Sequence, residues 1–490
     1  MPSTRLVEAV TAHGRTRGDR PALFHGRRTV TYRELVDLTE ALRPAVRDAA
    51  GPAGTTVVVP AHKTPETIAL LLAAFTEGLI PLVPSPDLGE DARLRLARQS
   101  RAELILTVDE DGVLTGEPVT PDPAEAEGFS IPDPEVTRIL LTTSGSTGTP
   151  KIVPIGSAGF DAFGEWAADA FALTADEVSL SYAPLNFDLA LLDVWALLVL
   201  GAAVVLVDKE RSADAPYVQG LLTEHGVTFV QGVPMLHRNL IRDGGVFDTV
   251  RTVIFTGDAL PPELLAPLAA GFPAARFHNI FGCTETNDSF GHEIDPANPP
   301  ARIPIGRPLP GVRALILGPD GDPVEGPGTG ELLVNTPFQT RGYLRTALNE
   351  PVFTERDGLV FYRTGDIVSR TEDGLISLEG RADWQVKVRG VRTNLQEVET
   401  VLAAHPDVVE AVIVTLPDPE AGVRLHAHVA RHPEAKLTGL GLRAHAGKHL
   451  PRHAIPSSVH ITDVPLPRTS TGKPDRNLIK SNRLKEIAAA

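Results

Sequence analysis

The residues with the most evident chemistry form one short segment in the first third of the chain, Leu140-Leu141-Thr142-Thr143-Ser144-Gly145-Ser146-Thr147-Gly148-Thr149-Pro150-Lys151. Its two glycines allow backbone amides to turn inward, its hydroxyls add neutral donors, and Lys151 adds a positive charge, which together suit a triphosphate. It is not a Walker loop, because Thr149 and Pro150 separate the last glycine from the lysine. A flexible Ser/Gly linker is the alternative, but the apolar segments on both sides favour an anion-binding loop.

Four more motifs follow in the order Asn279-Ile280-Phe281-Gly282-Cys283-Thr284-Glu285, Tyr362-Arg363-Thr364-Gly365-Asp366, Gly380-Arg381-Ala382-Asp383 with Gln385-Val386-Lys387-Val388-Arg389-Gly390, and Pro467-Arg468-Thr469-Ser470-Thr471-Gly472-Lys473. With the phosphate loop, they resemble the ordered motifs of the adenylate-forming superfamily, which includes acyl-CoA synthetases, luciferases and the adenylation domains of nonribosomal peptide synthetases. The resemblance implies an ATP-dependent ligase that activates a carboxylic acid as an acyl-adenylate and passes the acyl group to a thiol.

The same resemblance assigns a nucleotide site. Phe281 offers a flat apolar surface for the adenine, and the Asn279 side chain can meet the edge of the base. Asp366 can accept hydrogen bonds from the two ribose hydroxyls, and Arg381 can reach ribose or phosphate. The remaining ATP-binding residues implied by the motifs are Thr143, Ser144, Gly145, Ser146, Thr147, Gly148, Gly257, Asp258, Ala259, Gly282 and Thr284.

Three catalytic residues and a hinge also follow from the resemblance. Glu285 would hold a Mg²⁺ ion that neutralises the phosphates, as carboxylates do for hard cations, and Lys151 would add charge at the phosphates. Lys473 would offset the negative charge that develops when the carboxylate attacks phosphorus. Asp383 would be the hinge about which a small C-terminal domain rotates between the two half-reactions.

Two positions depart from the family pattern. Cys283 stands where the family usually has a proline, and Ser157 aligns with a position that often holds a histidine. Cys283 has no base beside it in the sequence, so we interpret it as a small buried thiol and assign it no catalytic role.

The substrate class depends on Asn186-Phe187-Asp188. Amino-acid-activating members of the superfamily carry an aspartate at this place that pairs with the substrate ammonium, and the flanking apolar residues predict a poorly solvated pocket. A carboxylate in such a pocket requires a cation, so Asp188 predicts an amino acid substrate. A surface aspartate after a strand is the alternative.

The other pocket positions implied by the resemblance are Leu189, Leu192, Gln231, Ile254, Thr256, Ile280, Asp288 and Ser289. Their aliphatic members favour a small side chain, and Asp288 and Ser289 can add polar contacts. Both α- and β-amino acids stay open, because one aspartate can serve either amine position.

The acceptor is expected to be a thiol on another molecule, since the chain ends 17 residues after Lys473. The phosphopantetheine of a separate carrier protein, as in nonribosomal peptide synthesis, is favoured for an amino acid activator. An acyl-CoA ligase that uses free coenzyme A on a small carboxylic acid is the alternative. A non-catalytic nucleotide-binding homologue is disfavoured, because both Glu285 and Lys473 are present.

Composition limits the partners and the location. A net charge of −16 without a basic cluster disfavours nucleic acid as a partner. The single cysteine, Cys283, excludes an intramolecular disulfide and a paired-cysteine zinc site. The chain shows no secretory leader and no apolar run long enough for a membrane span, so we expect a cytoplasmic protein.

Hydrophobic patterning predicts the fold class. Short β-branched segments such as 203–207 and 252–256 alternate with helix-period segments such as 66–77 and 217–225, which is typical of an α/β body with parallel sheets and flanking helices. A β-rich subdomain is predicted from about Arg302. A small, mobile α+β domain is predicted at the C-terminus. The expected boundaries are 1–382 for the ATP- and substrate-binding domain and 383–490 for the domain that carries Lys473.

Overall fold

The computed structural model describes residues 5–143, 150–381, 385–418, 422–432, 435–467 and 474–489. The α-helices of these residues are α1 (Arg5–Thr16), α2 (Tyr32–Ala50), α3 (Pro65–Thr76), α4 (Glu90–Gln99), α5 (Ser157–Ala170), α6 (Leu197–Leu200), α7 (Ala215–His225), α8 (Pro234–Leu240), α9 (Leu265–Gly271), α10 (Leu395–Ala403), α11 (Gly439–His449) and α12 (Arg476–Ala489). A π-helix, Leu191–Ala196, leads directly into α6.

The strands are β1 (Pro21–His25), β2 (Arg28–Thr31), β3 (Thr56–Val58), β4 (Ile80–Leu82), β5 (Leu104–Val108), β6 (Leu114–Pro118), β7 (Thr137–Thr143), β8 (Lys151–Gly156), β9 (Val178–Ser181), β10 (Ala203–Leu206), β11 (Phe229–Gly232), β12 (Thr252–Phe255), β13 (Arg276–Cys283), β14 (Asn287–Ile294), β15 (Arg307–Pro308), β16 (Arg313–Leu317), β17 (Gly328–Asn335), β18 (Phe353–Arg356), β19 (Leu359–Arg370), β20 (Ile376–Arg381), β21 (Gln385–Val388), β22 (Val391–Asn394), β23 (Val408–Asp418), β24 (Gly422–Arg431) and β25 (Ser458–Thr462).

The chain divides into two compact units, which we call the N-terminal and C-terminal units. The first holds most of the described residues up to Arg381, and the second holds the described residues from Gln385 onward. Among the described helices, none combines the length and the apolar character needed to cross a membrane.

Two sheets form the α/β part of the N-terminal unit. The larger has the strand order β15-β14-β13-β12-β11-β9-β10-β1-β2, and its central strands from β13 to β1 run parallel. The smaller has the order β6-β5-β3-β4-β7-β8. Parallel strands require crossover connections, which the helices between them supply.

Helix α3 shows how the two sheets are held together. Its N-cap Thr64 accepts a hydrogen bond from the Thr67 amide, and Pro65 occupies the first turn, where no amide donor is needed. Every residue from Pro65 to Phe75 is buried. A helix that is apolar on all sides belongs between layers, and α3 contributes to one apolar cluster with strands of both sheets.

The β-rich part of the N-terminal unit is a five-stranded antiparallel sheet in which β16, β17, β19 and β18 are neighbours and β20 pairs with β19. The C-terminal unit contains the hairpin β21-β22 and the three-stranded sheet β23-β24-β25, with α10 and α11 packed on its own apolar core.

The predicted fold class is confirmed: an α/β body with parallel sheets, a β-rich region after Arg302 and a small α+β unit. In the apolar run 196–207, the first part is the end of the π-helix followed by α6, and only Ala203–Leu206 is a strand. A short apolar run does not distinguish a buried strand from a buried helix.

Candidate active site

Several of the predicted substrate residues lie on one face of the nine-stranded sheet. Ile254 of β12 and Ile280 of β13 are both buried in the apolar cluster that covers this face, and Leu192 of the π-helix belongs to the same cluster. Gln231 of β11 is two residues after Phe229, another member, so strand alternation puts Gln231 on this face as well. Thr256 directly follows β12 and is also buried.

The chain between β9 and the π-helix carries Asp188 and Leu189. The carbonyl of Asp188 accepts a hydrogen bond from the amide of Leu191 at 2.9 Å, and the carbonyl of Leu189 accepts from the amide of Leu192 at 3.1 Å. These turns lead directly into the π-helix. Asp188 and Leu189 are themselves half-buried, so neither is sealed inside the core.

Asp288 reaches the same face through an irregularity in the β13-β14 hairpin. Phe281 pairs with Phe290 but Gly282 pairs with Asp288, so the register shifts by one residue. A Cβ on Gly282 would lie 2.1 Å from the carbonyl oxygen of Asn287, hence this close approach requires glycine. Burial first, and then the Asp188 carboxylate, raise the pKa of Asp288 to about 7. The two carboxyl groups therefore lie within electrostatic reach of each other.

We use the name substrate face for six of these residues, Asp188, Leu192, Gln231, Ile254, Ile280 and Asp288. Ser289, predicted beside Asp288, has its hydroxyl within the hairpin, where it donates to Thr286 Oγ1 and to the carbonyl of Asn287, both at 3.2 Å. It is 1% exposed. Ser289 therefore uses its donor to hold the turn.

Glu285 lies in the turn of this hairpin, between β13 and β14, and is 1% exposed. The hydroxyl of Tyr343 donates a hydrogen bond to its Oε1 at 2.5 Å. The Tyr343 hydroxyl is also 3.3 Å from the hydroxyl of Tyr362, and the ammonium of Lys151 lies 4.9 Å from the centre of the Tyr343 ring. We call these four residues the tyrosine network. It brings together Lys151 and Glu285, two of the three predicted catalytic residues.

Asp366 and Arg381 face each other across the β19-β20 pair. The guanidinium of Arg381 donates to Asp366 Oδ1 at 2.5 Å and to the carbonyl of Thr364 at 2.9 Å. Asp366 is 7% exposed. Arg381, predicted to contact ribose or phosphate, thus also holds the Asp366 carboxylate in a fixed orientation.

The predicted adenine residues lie on β13 and after β12. Phe281 packs in the apolar cluster of the β-rich part. The side-chain amide of Asn279 donates to the carbonyl of Pro304 at 2.7 Å, which leaves its oxygen as the group for a base edge. Gly257 has φ of +82°, and the Asp258 carboxylate accepts from the amide of Ala259. Gly282 and Thr284, on either side of Cys283, are half-buried.

Several predicted residues lie outside the described part of the chain: Ser144, Gly145, Ser146, Thr147, Gly148, Asp383 and Lys473. Thr143, the first residue of the predicted loop set, ends β7, and Lys151 begins β8, so the apolar segments on both sides of the predicted loop are strands. Cys283, expected to be buried, is half-buried, and its sulfur lies 3.3 Å from Thr286 Oγ1.

Two features were missed by sequence reasoning. Tyr343 was not singled out, although tyrosine is rare here, with five in the chain, and Tyr343 follows an Arg-Gly pair in a loop. Lys63 and Asp193, the latter in the π-helix, are both buried and act on each other electrostatically, and the Lys63 ammonium donates to the carbonyls of Ser181 and Tyr182. Burial raises the pKa of Asp193 and lowers that of Lys63, and each charge opposes the shift of the other. Nothing in the sequence links two residues so far apart.

The family model for AMP-binding enzymes matches residues 10–344, and the model for the C-terminal domain of AMP-binding enzymes matches residues 397–473. The chain therefore belongs to the AMP-binding enzyme family.

Its relatives include an L-proline--[L-prolyl-carrier protein] ligase of Pseudomonas fluorescens, 31% identical over 86% of this chain and 88% of the relative. A D-alanine--D-alanyl carrier protein ligase of Bacillus licheniformis is 28% identical over 97% of this chain and 99% of the relative. Among solved structures, the crystal structure of IdnL1 is 26% identical, with a TM-score of 0.78 over 95% of this chain and 99% of that one.

Proposed function

We propose that this protein activates a small amino acid with ATP as an aminoacyl-adenylate and then transfers the aminoacyl group to the phosphopantetheine thiol of a carrier protein. The observation that carries the proposal is the position of Asp188 on the substrate face with its aliphatic members, where a carboxylate can bind an ammonium group. The two ligases among the relatives, named for L-proline and D-alanine, support both an amino acid substrate and a carrier protein.

The aliphatic residues of the substrate face favour a small substrate. Leu192, Ile254 and Ile280 are each at most 4% exposed, so they form a packed wall. A carboxylate close to such a wall is weakly solvated, and a cation that pairs with it recovers the lost hydration. Asp188 would thus select acids that carry an amine over acids that lack one.

The nucleotide would be held by residues of the motifs that resemble those of the adenylate-forming superfamily. Asp366, oriented by Arg381, offers carboxylate oxygens to the ribose hydroxyls. Phe281 would stack on the adenine, Asn279 would meet the edge of the base, and the loop 143–148 would hold the phosphates with Lys151. These assignments combine the motif resemblance with the positions of the described residues.

Glu285 fits a Mg²⁺ ion. It is a buried carboxylate, and one of its oxygens is fixed by the Tyr343 hydroxyl. No cluster of three or more His, Cys, Asp or Glu side chains suited to a metal occurs among the described residues. Mg²⁺ typically takes one or two carboxylates from the protein and completes its shell with phosphates and water. The ion would neutralise charge on the phosphates.

In the first half-reaction, a carboxylate oxygen of the amino acid attacks the α-phosphorus of ATP, and pyrophosphate leaves. We propose that Lys473 stabilises the negative charge that develops there. In the second half-reaction, the thiol sulfur attacks the acyl carbon, a thioester forms, and AMP leaves. We assign ATP and substrate binding to residues 1–382 and the presentation of Lys473 to residues 383–490, with Asp383 as the hinge. A cytoplasmic location stays a prediction from the sequence.

Pyrophosphate exchange across amino acids, β-amino acids and amine-free acids tests the first half-reaction. We expect exchange with a small amino acid and little with its deaminated analogue. Lys473→Ala should lower the exchange rate by about two to three orders of magnitude while ATP still binds, because the contact acts mainly in the transition state. Undiminished exchange in this variant would remove Lys473 from its proposed role.

Loading of a purified carrier protein, compared with thioester formation on free coenzyme A, tests the acceptor. Carrier loading well above the coenzyme A reaction supports the proposal, and the reverse favours an acyl-CoA ligase. Asp383→Pro tests the hinge, since proline fixes φ. It should spare one half-reaction and harm the other, whereas equal loss of both in a folded variant would count against a hinge at this residue.

A further inference from the structure

We propose that the substrate is a short-chain diamino acid, whose second ammonium group is bound by Asp288 while Asp188 binds the first. This inference rests on the proposed function and specifies its substrate class.

The hairpin geometry is the first observation. In an antiparallel pair, residues directly opposite each other share a face, and successive residues alternate. Ile280 lies on the substrate face, Phe281 and Phe290 point into the apolar cluster of the β-rich part, and Gly282 returns to the face of Ile280. Because the register shift pairs Gly282 with Asp288, the Asp288 side chain lies on the substrate face. In an unshifted hairpin, Asp288 would share the face of Phe281.

The surroundings of Asp288 are the second observation. Among the described residues, no amide, hydroxyl or cationic side chain donates a hydrogen bond to its carboxylate. The backbone amide of Asp288 is itself bound to Asn287 Oδ1 at 2.9 Å. Among the residues that the structure describes, the charged group that acts on it is the Asp188 carboxylate, which together with the larger effect of burial raises the pKa of Asp288 to about 7. Nothing described in the protein offsets the negative charge of Asp288.

The charge balance distinguishes two kinds of ligand. A substrate with one ammonium group offsets Asp188 and leaves Asp288 as a neutral acid or as an uncompensated charge. A substrate with two ammonium groups offsets both carboxylates, and hydrogen bonds between ions are roughly twice as strong as those between neutral groups. Like charges in one poorly solvated site are unfavourable unless each has a counterion. The second ammonium group is therefore the complement of this pair.

The packing of the substrate face sets the length. Leu192, Ile254 and Ile280 are buried and belong to one apolar cluster, so the carbon chain between the two amines is short and contacts aliphatic groups. This points to 2,3-diaminopropionate, 2,4-diaminobutyrate and ornithine as the compounds to compare.

The experiment measures kcat/KM in pyrophosphate exchange for each diamino acid and for the matched compound in which a methyl group replaces the side-chain amine, namely 2-aminobutyrate, norvaline and norleucine. Serine and homoserine test a hydroxyl in place of the amine. We expect at least one diamino acid to exceed its methyl and hydroxyl counterparts by tenfold or more. In Asp288→Asn, which keeps the size of the side chain, this ratio should fall at least tenfold.

Glu293→Gln is the matched control, because Glu293 lies on the same strand, is exposed and pairs with Arg276, and neither of these two residues is a member of the substrate face. The control should leave the ratio unchanged.

Higher activity of the wild type with the methyl or hydroxyl compounds than with the diamino acids would overturn the inference, but it would leave the proposed amino acid adenylation standing. An amine preference that survives in folded Asp288→Asn would remove Asp288 as its cause. Absence of exchange with every amino acid would remove the proposed function itself. If Asp288→Asn does not fold, the wild-type ratios alone decide.

Discussion

The tyrosine network and the substrate face each include a carboxylate from the β13-β14 hairpin, Glu285 and Asp288, but the two carboxylates have different surroundings. Glu285 is buried and already accepts a hydrogen bond from Tyr343. Asp288, three residues later, is half-buried and has no donor among the described residues, and its charged neighbour is Asp188. One carboxylate accepts a hydrogen bond from the protein itself, and we propose that the other takes its counterion from a ligand.

The difference reflects what each side must bind. Every turnover uses ATP, and if Glu285 with Tyr343 and Asp366 with Arg381 bind it as proposed, these preorganised groups need no rearrangement when the nucleotide binds. An amino acid must be distinguished from many others, and a carboxylate that is unfavourable without the correct cation provides that selection. Four changes test this contrast.

Asp188→Asn should have the largest effect. It keeps the shape but removes the charge that pairs with the substrate ammonium, which leaves a poorly solvated cation without a counterion. The expected cost is about 3–5 kcal/mol, or hundreds-fold and more in kcat/KM for the amino acid, with little change in ATP binding. The measurement is the kcat/KM ratio of the amino acid to its deaminated analogue in wild type and variant. A constant ratio would mean that Asp188 does not bind the amine.

Tyr343→Phe should have the next largest effect. It removes the hydroxyl that orients Glu285 and keeps the ring beside Lys151. A hydrogen bond to a charged group contributes about 1.5–3 kcal/mol, so the Mg²⁺ concentration for half-maximal rate should rise about 10- to 100-fold. Mn²⁺ binding to the ATP complex, followed by electron paramagnetic resonance, should weaken in parallel.

Tyr362→Phe is the control for that change, because the Tyr362 hydroxyl contacts the hydroxyl of Tyr343 at 3.3 Å, whereas the Tyr343 hydroxyl itself donates to Glu285. It should shift the Mg²⁺ requirement much less. Equal shifts in the two variants would show that Tyr343 acts through packing and not through its bond to Glu285.

Asp366→Asn should raise the KM for ATP by about tenfold, since a neutral amide replaces a carboxylate that accepts from Arg381 and is proposed to bind the ribose. The KM for the amino acid should change little. Asp373→Asn serves as the control, because Asp373 is an exposed residue paired with Arg307 at the surface. An unchanged ATP KM in Asp366→Asn would contradict the ribose assignment.

The smallest expected effect is the change that Asp288→Asn makes in the free energy of unfolding of the ligand-free protein. The pKa of Asp288 is raised in the folded state, so the folded protein holds this proton between the unfolded value near 3.9 and about 7. Its contribution to stability is therefore present below the unfolded pKa and is lost as the pH rises toward 7. Because Asp288 is half-buried, we expect a gain of about 1–2 kcal/mol for the variant at pH 8.

Thermal unfolding of both proteins at pH 5 and pH 8 measures this effect. The stabilisation in Asp288→Asn should be larger at pH 8 than at pH 5. An equal or smaller gain at pH 8 would show that Asp288 is compensated in the ligand-free protein, which would erase its contrast with Glu285.

The sequence by itself determined the fold class, because the alternation of short β-branched segments with helix-period segments follows from local periodicity. It also determined which motifs occur and in what order, since residue type and local spacing carry this information. The strand ends before and after the phosphate loop, at Thr143 and Lys151, agree with that local pattern.

Only the tertiary structure decided which of these residues act on one another. The bond from Tyr343 to Glu285 joins residues 58 apart, and the electrostatic coupling of buried Lys63 and Asp193 acts between residues far apart in the sequence. The register shift that turns Asp288 toward Asp188 depends on how two strands pair, and a shift of one residue moves a side chain to the opposite face. Local sequence sets which conformations a segment prefers, but the packing of distant segments sets which charges become neighbours and how much water they retain.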